Sequence, residues 1–180
     1  SVRFEVFGRL IDVAADGFDI DVRVGDEIAP QLIARRLAAN HRVLCASPDY
    51  LARRGAPRTP ADLAAHDCLV IKERDHPFGV WKLRSGGSES TVKVTGPLST
   101  NHGEIAVQWA VDGRGIVLRS MWDVAPLLAA GRLELVLRGH QQEANVWAVY
   151  PSRLSSSAKV KVCVEFLQEH FAGLAPPAPA

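Results

Sequence analysis

Val2, Phe4 and Val6 alternate with Arg3 and Glu5. That is the two-residue period of a strand with one face toward a core, and it predicts a half-buried or edge strand over residues 2–7. Phe18, Ile20, Val22 and Val24 repeat the period against Asp19, Asp21 and Arg23 and stop at Gly25. Residues 10–17 between them read as a short helix closed by Gly17. Residues 31–37 form a third extended piece carrying Arg35 and Arg36, and residues 42–47 a fourth. Ser47-Pro48 and Thr59-Pro60 each set a capping hydroxyl before a proline, a helix start, so helices are expected to Arg54 and to His66. Residues 68–71 read as a strand. Residues 80–83 and 91–94 flank Ser85-Gly86-Gly87-Ser88 and predict an antiparallel hairpin. A helix over 121–130, strands over 133–137 and 146–150, and a last helix over 157–171 complete the pattern. In that last helix Val160, Val164, Phe166 and Leu167 are expected to face the core. Strands alternating with short helices make an α/β fold, and no repeat period is visible.

The stretch 98–120 organises the rest. It reads as strand end, helix, tight turn, strand. Asn101 is placed to cap the helix, with Glu104 at the reciprocal position. Ile105, Ala106, Trp109 and Ala110 fall on one face, and Asp112-Gly113 ends the helix. The flanking strands are then parallel, and a ligand is expected beyond their carboxyl ends, at helix N-termini. Thr100, Asn101, His102, Arg119 and Ser120 lie at that place. Helix amides there attract an anion.

Composition narrows the class. The 180 residues carry 21 Lys+Arg and 20 Asp+Glu, a net charge of +1, which gives no electrostatic reason to bind nucleic acid or an anionic membrane. With 47% apolar residues a substantial core is available. Cys45, Cys68 and Cys163 are widely spaced and suggest neither a metal nor a redox pair, which suits a reducing compartment. No signal-peptide run opens the chain and no stretch is long enough to span a membrane. Residues 174–180, rich in Pro and Ala, are expected to be disordered. Searches for catalytic motifs come back empty. Ser156-Ser157-Ala158-Lys159 reads as a helix cap, while His66-Asp67 and Asp75-His76 are polar turns without a nucleophile. Arg35-Arg36, Arg53-Arg54 and Arg58 read as solvated faces, and the four tryptophans as core. No catalytic residue, metal or cofactor is assigned.

Three stretches together resemble one family. They are residues 34–69, with Cys45-Ala46-Ser47-Pro48 and Thr59-Pro60-Ala61-Asp62-Leu63; Ser99-Thr100-Asn101 with residues 111–118; and residues 148–153. In this order they resemble the effector-binding domain of LysR-type transcriptional regulators, over almost the whole chain. The resemblance implies a fold like that of periplasmic binding proteins of type 2, with two Rossmann-like lobes joined by a two-strand hinge. Lobe I would comprise residues 1–38 and 145–171, lobe II residues 39–144, with residues 172–180 a tail. A small-molecule effector, a carboxylate or an aromatic, would sit between them, touching Gly25, Asp26 and Ile28 on one side and Ile71, residues 99–102, Arg119 and Ser120 on the other. Two departures stand out: the family's winged helix-turn-helix is not in this sequence, and neither is a strand and helix that precede the match to residues 2–7. The fragment is therefore expected not to bind DNA by itself. Its partners would be the effector and a second copy, as a homodimer or tetramer, in the cytoplasm and with no membrane contact. The rival expectation is an extracytoplasmic solute-binding protein; an enzyme of similar fold is disfavoured by the empty motif search.

Overall fold

The computed structural model describes residues 1–7, 11–72 and 77–174. It divides into two compact units, one built on residues 42–142 together with residues 1–7, the other on residues 11–41 and 143–174. The chain passes from one unit to the other at 41/42 and again at 142/143.

The larger unit holds a mixed sheet. Its strands are β3 (His41–Ala46), β4 (Cys68–Ile71), β5 (Val80–Ser85), β6 (Ser88–Lys93), β7 (Ser99–Thr100), β8 (Ile116–Ser120), β9 (Glu134–Leu135) and β10 (Gln141–Glu143). Their order is β6-β5-β10-β3-β8-β4-β7, with β9 also paired to β3. The centre is apolar on both faces, as strands covered on two sides must be. Leu44, Ala46, Cys68, Val70, Ile116 and Leu118 pack on one side with Tyr50, Leu63 and Leu83. Val43, Cys45, Leu69 and Val117 pack on the other with Ala106, Ala110, Met121 and Val124. The last four belong to helices α2 (Gly103–Val111) and α3 (Met121–Ala129). Helix α1 (Pro48–Arg54) starts as the sequence predicts, with Ser47 accepting the Tyr50 N–H. Thr59 and Asp62 form a reciprocal cap on a 3-10 helix, Pro60–Ala65. The expected antiparallel hairpin forms, with Trp81 opposite Val92 and Leu83 opposite Ser90.

The smaller unit has three strands, β1 (Asp21–Val24), β2 (Leu32–Ala38) and β11 (Val146–Pro151), in the order β1-β11-β2. Both ladders are antiparallel. Helix α4 (Ala158–Ala172) packs on β2 and buries Val160 and Val164. In β1 the usual polarity is inverted. Asp21 and Arg23 are buried as an ion pair of 2.7 Å, while Val22 and Val24 are exposed.

Several sequence expectations are corrected. Residues 1–7 form no strand, and Val2, Phe4 and Val6 are exposed. Alternation shows that a segment could pair, not that a partner strand is present. Residues 1–7 also group with 42–142, not with residues 11–41. The helix expected over 10–17 is reduced to turns over 13–17. There the Asp12 carboxylate accepts the Ala14 and Ala15 amides and so competes with a continuing helix; Leu10 lies outside the described residues. The strand expected over 133–137 shrinks to Glu134–Leu135. Phe166 is exposed: it stands two residues after buried Val164, and on a helix such neighbours point to opposite sides. The pair Asp75-His76 and the tail beyond Leu174 lie outside the described residues.

Candidate functional site

The candidate residues of the larger unit do meet. Strand β4 lies between β7 and β8 and is parallel to both. Ile71 is opposite Thr100, and the Lys72 amide donates to the Thr100 carbonyl at 2.7 Å. The parallel arrangement sets the carboxyl ends of all three strands on one edge, carrying Ile71, Ser99, Thr100 and Arg119-Ser120. Strand β3 runs the other way, so its first residues reach the same edge, and Arg42 pairs with Ser120.

Helices α2 and α3 both begin on this edge. The sequence assigns the α2 cap to Asn101, and the structure corrects this: His102 is the cap residue and makes no side-chain cap bond. The Thr100 hydroxyl accepts the His102 N–H at 3.0 Å, which turns the chain one residue later than the capping pattern suggests. Ser120 precedes α3, again without a side-chain cap bond. Two helix N-termini on one sheet edge sum their partial positive charge. Asn101 and His102 are exposed, Thr100 half-buried. Arg119 adds a cation. Its guanidinium lies directly against Gly103, where a Cβ would collide with it. Its Nε stands 2.7 Å from the Asp123 carboxylate, an ionic contact without hydrogen-bond alignment.

Gly25, Asp26 and Ile28 belong to the smaller unit. The Gly25 amide donates to the Asn145 carbonyl. The Asp26 carboxylate accepts Asn145 Nδ2 at 3.0 Å and Trp147 Nε1 at 2.8 Å. These bonds fix the turn after β1 to the start of β11. Asn145 and Trp147 escaped the sequence reading, since they are 119 and 121 residues away from Asp26. Asn40 holds the same strand start through the Ala144 carbonyl and the Asn145 side chain.

A second pair also escaped it. Arg42 and Gln142 are both buried, and Arg42 Nη1 donates to Gln142 Oε1 at 3.0 Å. They line a small cavity of the larger unit with Ile71, Leu69, Trp81 and Leu118. The only signal in the sequence is a charged residue at the start of an otherwise apolar strand. Elsewhere titration favours inert groups. Burial pushes the Cys45 thiol up to about 12, and burial with the nearby Asp67 charge does the same for Cys68. Among the described residues no three potential metal ligands come together.

These features define an α/β ligand-binding domain of the type 2 periplasmic-binding-protein-like fold. The chain belongs to the LysR family: the family model described as "LysR substrate binding domain" matches residues 1–172. It is similar to "HTH-type transcriptional regulator DmlR" of Escherichia coli (strain K12), 59% identical over 171 residues, 95% of this chain and 56% of that protein. It is 51% identical over 166 residues to "HTH-type transcriptional activator TtdR" of the same strain, covering 92% of this chain and 54% of that protein. The chain thus spans about half the length of these curated relatives. Among solved structures it resembles CrgA, a LysR-type transcriptional regulator from Neisseria meningitidis. The TM-score is 0.71 at 28% identity, over 89% of this chain and 55% of that one. The Vibrio cholerae virulence activator AphB shares the fold, with a TM-score of 0.71 at 23% identity, over 87% of this chain and 53% of that one. The matches give no support to the rival expectation of a solute-binding protein.

Proposed function

We propose that this chain senses a small molecule for a transcription regulator, and that the effector binds at the sheet edge of the larger unit. The carrying observation is the shared edge in the larger unit, where Thr100, Ser120, Arg119 and two helix N-termini meet. Ser99, Asn101, His102 and Ile71 complete that set, and Gly25, Asp26 and Ile28 of the smaller unit are the further residues we assign to effector binding. The relatives' names as regulators support the setting. DNA contact belongs to a helix-turn-helix outside this sequence, the working unit is a homodimer, and the compartment is cytoplasmic. The chain performs no catalysis. Among the described residues no helix is long and apolar enough to cross a membrane.

The mechanism is a population shift. An effector moves an equilibrium between conformations only by its differential affinity for them, and about 1.4 kcal/mol of difference is tenfold. The test is thermal-shift screening of the intact protein with small carboxylates and aromatics, repeated on Thr100→Val and Ser99→Ala. The expected result is a stabilising compound whose affinity falls in both variants. A compound that binds equally well to variants at every position from 99 to 102 refutes the assignment.

A further inference from the structure

Helix α4 carries two apolar faces. Val160 and Val164 are buried where α4 packs on β2. Val162 and Phe166 are 64% and 65% exposed. At 3.6 residues per turn they stand about 200° and 240° around the helix from Val160, so they point away from the sheet. The Phe166 ring stacks on His170, with centroids 6.4 Å apart, and His170 meets Phe171 edge-on. These rings extend the outer strip toward the end of the helix. A surface helix needs one apolar stripe, and a second one opposite the first fits a helix covered on both sides.

The charges of α4 select what covers it. Its first half holds Lys159 and Lys161, its second half Glu165 and Glu169. Within the chain Lys159 reaches Asp19 at 3.0 Å and Lys161 reaches Glu165 at 4.0 Å. All four side chains are more than half exposed, where such pairs are loose and readily shared. A second α4 running the opposite way sets the lysine half of each copy against the glutamate half of the other. It also brings Val162 of each copy near Phe166 of the other. A parallel copy would set like charges together, and a uniformly acidic or basic partner would repel one half. A two-fold axis through the middle of the helix satisfies both halves with a single surface.

We propose that the outward face of α4 binds the same face of a second copy of this chain, antiparallel. One helix against one helix is a small contact, so the association is weak and transient. It uses neither the effector edge nor α2, and it joins working units to one another rather than forming them.

The experiment follows the mass of the intact protein by light scattering and sedimentation, from micromolar to submillimolar concentration. The mean mass is expected to at least double across that range. The rise is read relative to the low end, so it is independent of whether the starting unit is a monomer or a homodimer. Phe166→Asp should abolish the rise and leave the melting temperature unchanged, because the position is exposed. Val162→Asp should do the same, which keeps the test readable if one of the two fails to fold. Charge reversal separates this contact from general stickiness. Lys159→Glu with Lys161→Glu makes the helix acidic throughout, and Glu165→Lys with Glu169→Lys makes it basic. Each double variant alone should associate less than the wild type, and an equal mixture of the two should associate again. A mass constant over the range overturns the proposal, as does a rise that survives both Phe166→Asp and Val162→Asp. A rise indifferent to the charge reversals, or a mixture that stays apart, overturns the antiparallel copy. The rise should persist in Val107→Asp, a change on α2. Its loss there moves the self-association to α2 and overturns the assignment to α4. A micromolar mass that falls to the monomer while the rise stays intact concerns the homodimer and leaves the α4 contact standing.

Discussion

His66 shows how a single side chain ties stability to pH. The Tyr50 hydroxyl accepts the Asp67 amide at 3.0 Å and is hydrogen-bonded to His66 Nδ1, also at 3.0 Å. Burial, and then the Arg54 charge, hold the imidazole below its ordinary value of 6.5. The folded state binds its proton less readily than the unfolded chain, so stability is complete above the unfolded value. It is lost as pH falls from there through the lowered folded value. Denaturant midpoints of the wild type should drop between pH 7 and pH 5, and His66→Gln should flatten the decline. Burial also lowers His41, so some slope persists in that variant. Identical pH profiles for the two proteins would dismiss the His66 account.

Among the elements, the loop leading from β6 toward β7 is held to β4 by closeness rather than by side chains. Cys68 donates its amide to the Thr95 carbonyl at 3.0 Å, and a Cβ at Gly96 would strike the Cys68 backbone. Two main chains cannot move apart without breaking that bond. Gly96→Ala should therefore cost about 1–3 kcal/mol, the usual range for overpacking, read as a lower urea midpoint with unchanged slope. An unshifted midpoint would mean that the loop yields easily. Elements with a local signature were legible in the sequence, as Ser47-Pro48 before α1 and the Gly86-Gly87 hairpin show. So was the meeting of Thr100 with Ser120, because parallel strands around a helix leave their carboxyl ends together. Three things were not. Alternation at Val2, Phe4 and Val6 carries no information on a partner. The insertion of β4 between β7 and β8 is a choice of tertiary pairing, and the partners of Asp26 and Arg42 come from the far end of the sequence.

For the whole molecule, exposed apolar side chains bear on assembly. Phe4 is 81% and Ile105 44% exposed, on the N-terminal segment and on α2. A two-fold interface uses the same surfaces on both copies. Our reading of a homodimer assigns residues 2–7 of one copy and the α2 surface of the other to it. Light scattering of the intact protein at micromolar concentration should give a dimer mass that drops with Phe4→Asp or Val107→Asp. A monomer mass untouched by either change refutes it. The division of the chain also sets an order of events during synthesis. The larger unit, apart from residues 1–7, lies between the two passages, and all of its described residues have been made once residue 142 has emerged. Strand β1 needs β11, whose Val149 pairs with Asp21, and β2 is covered by α4, which ends at Ala172. At 5–20 residues per second the ribosome needs roughly 7–26 s to go from residue 41 to residue 172. For that interval residues 11–41 stay without their partners, open to chaperones and proteases, while the segment made after them has already begun to fold.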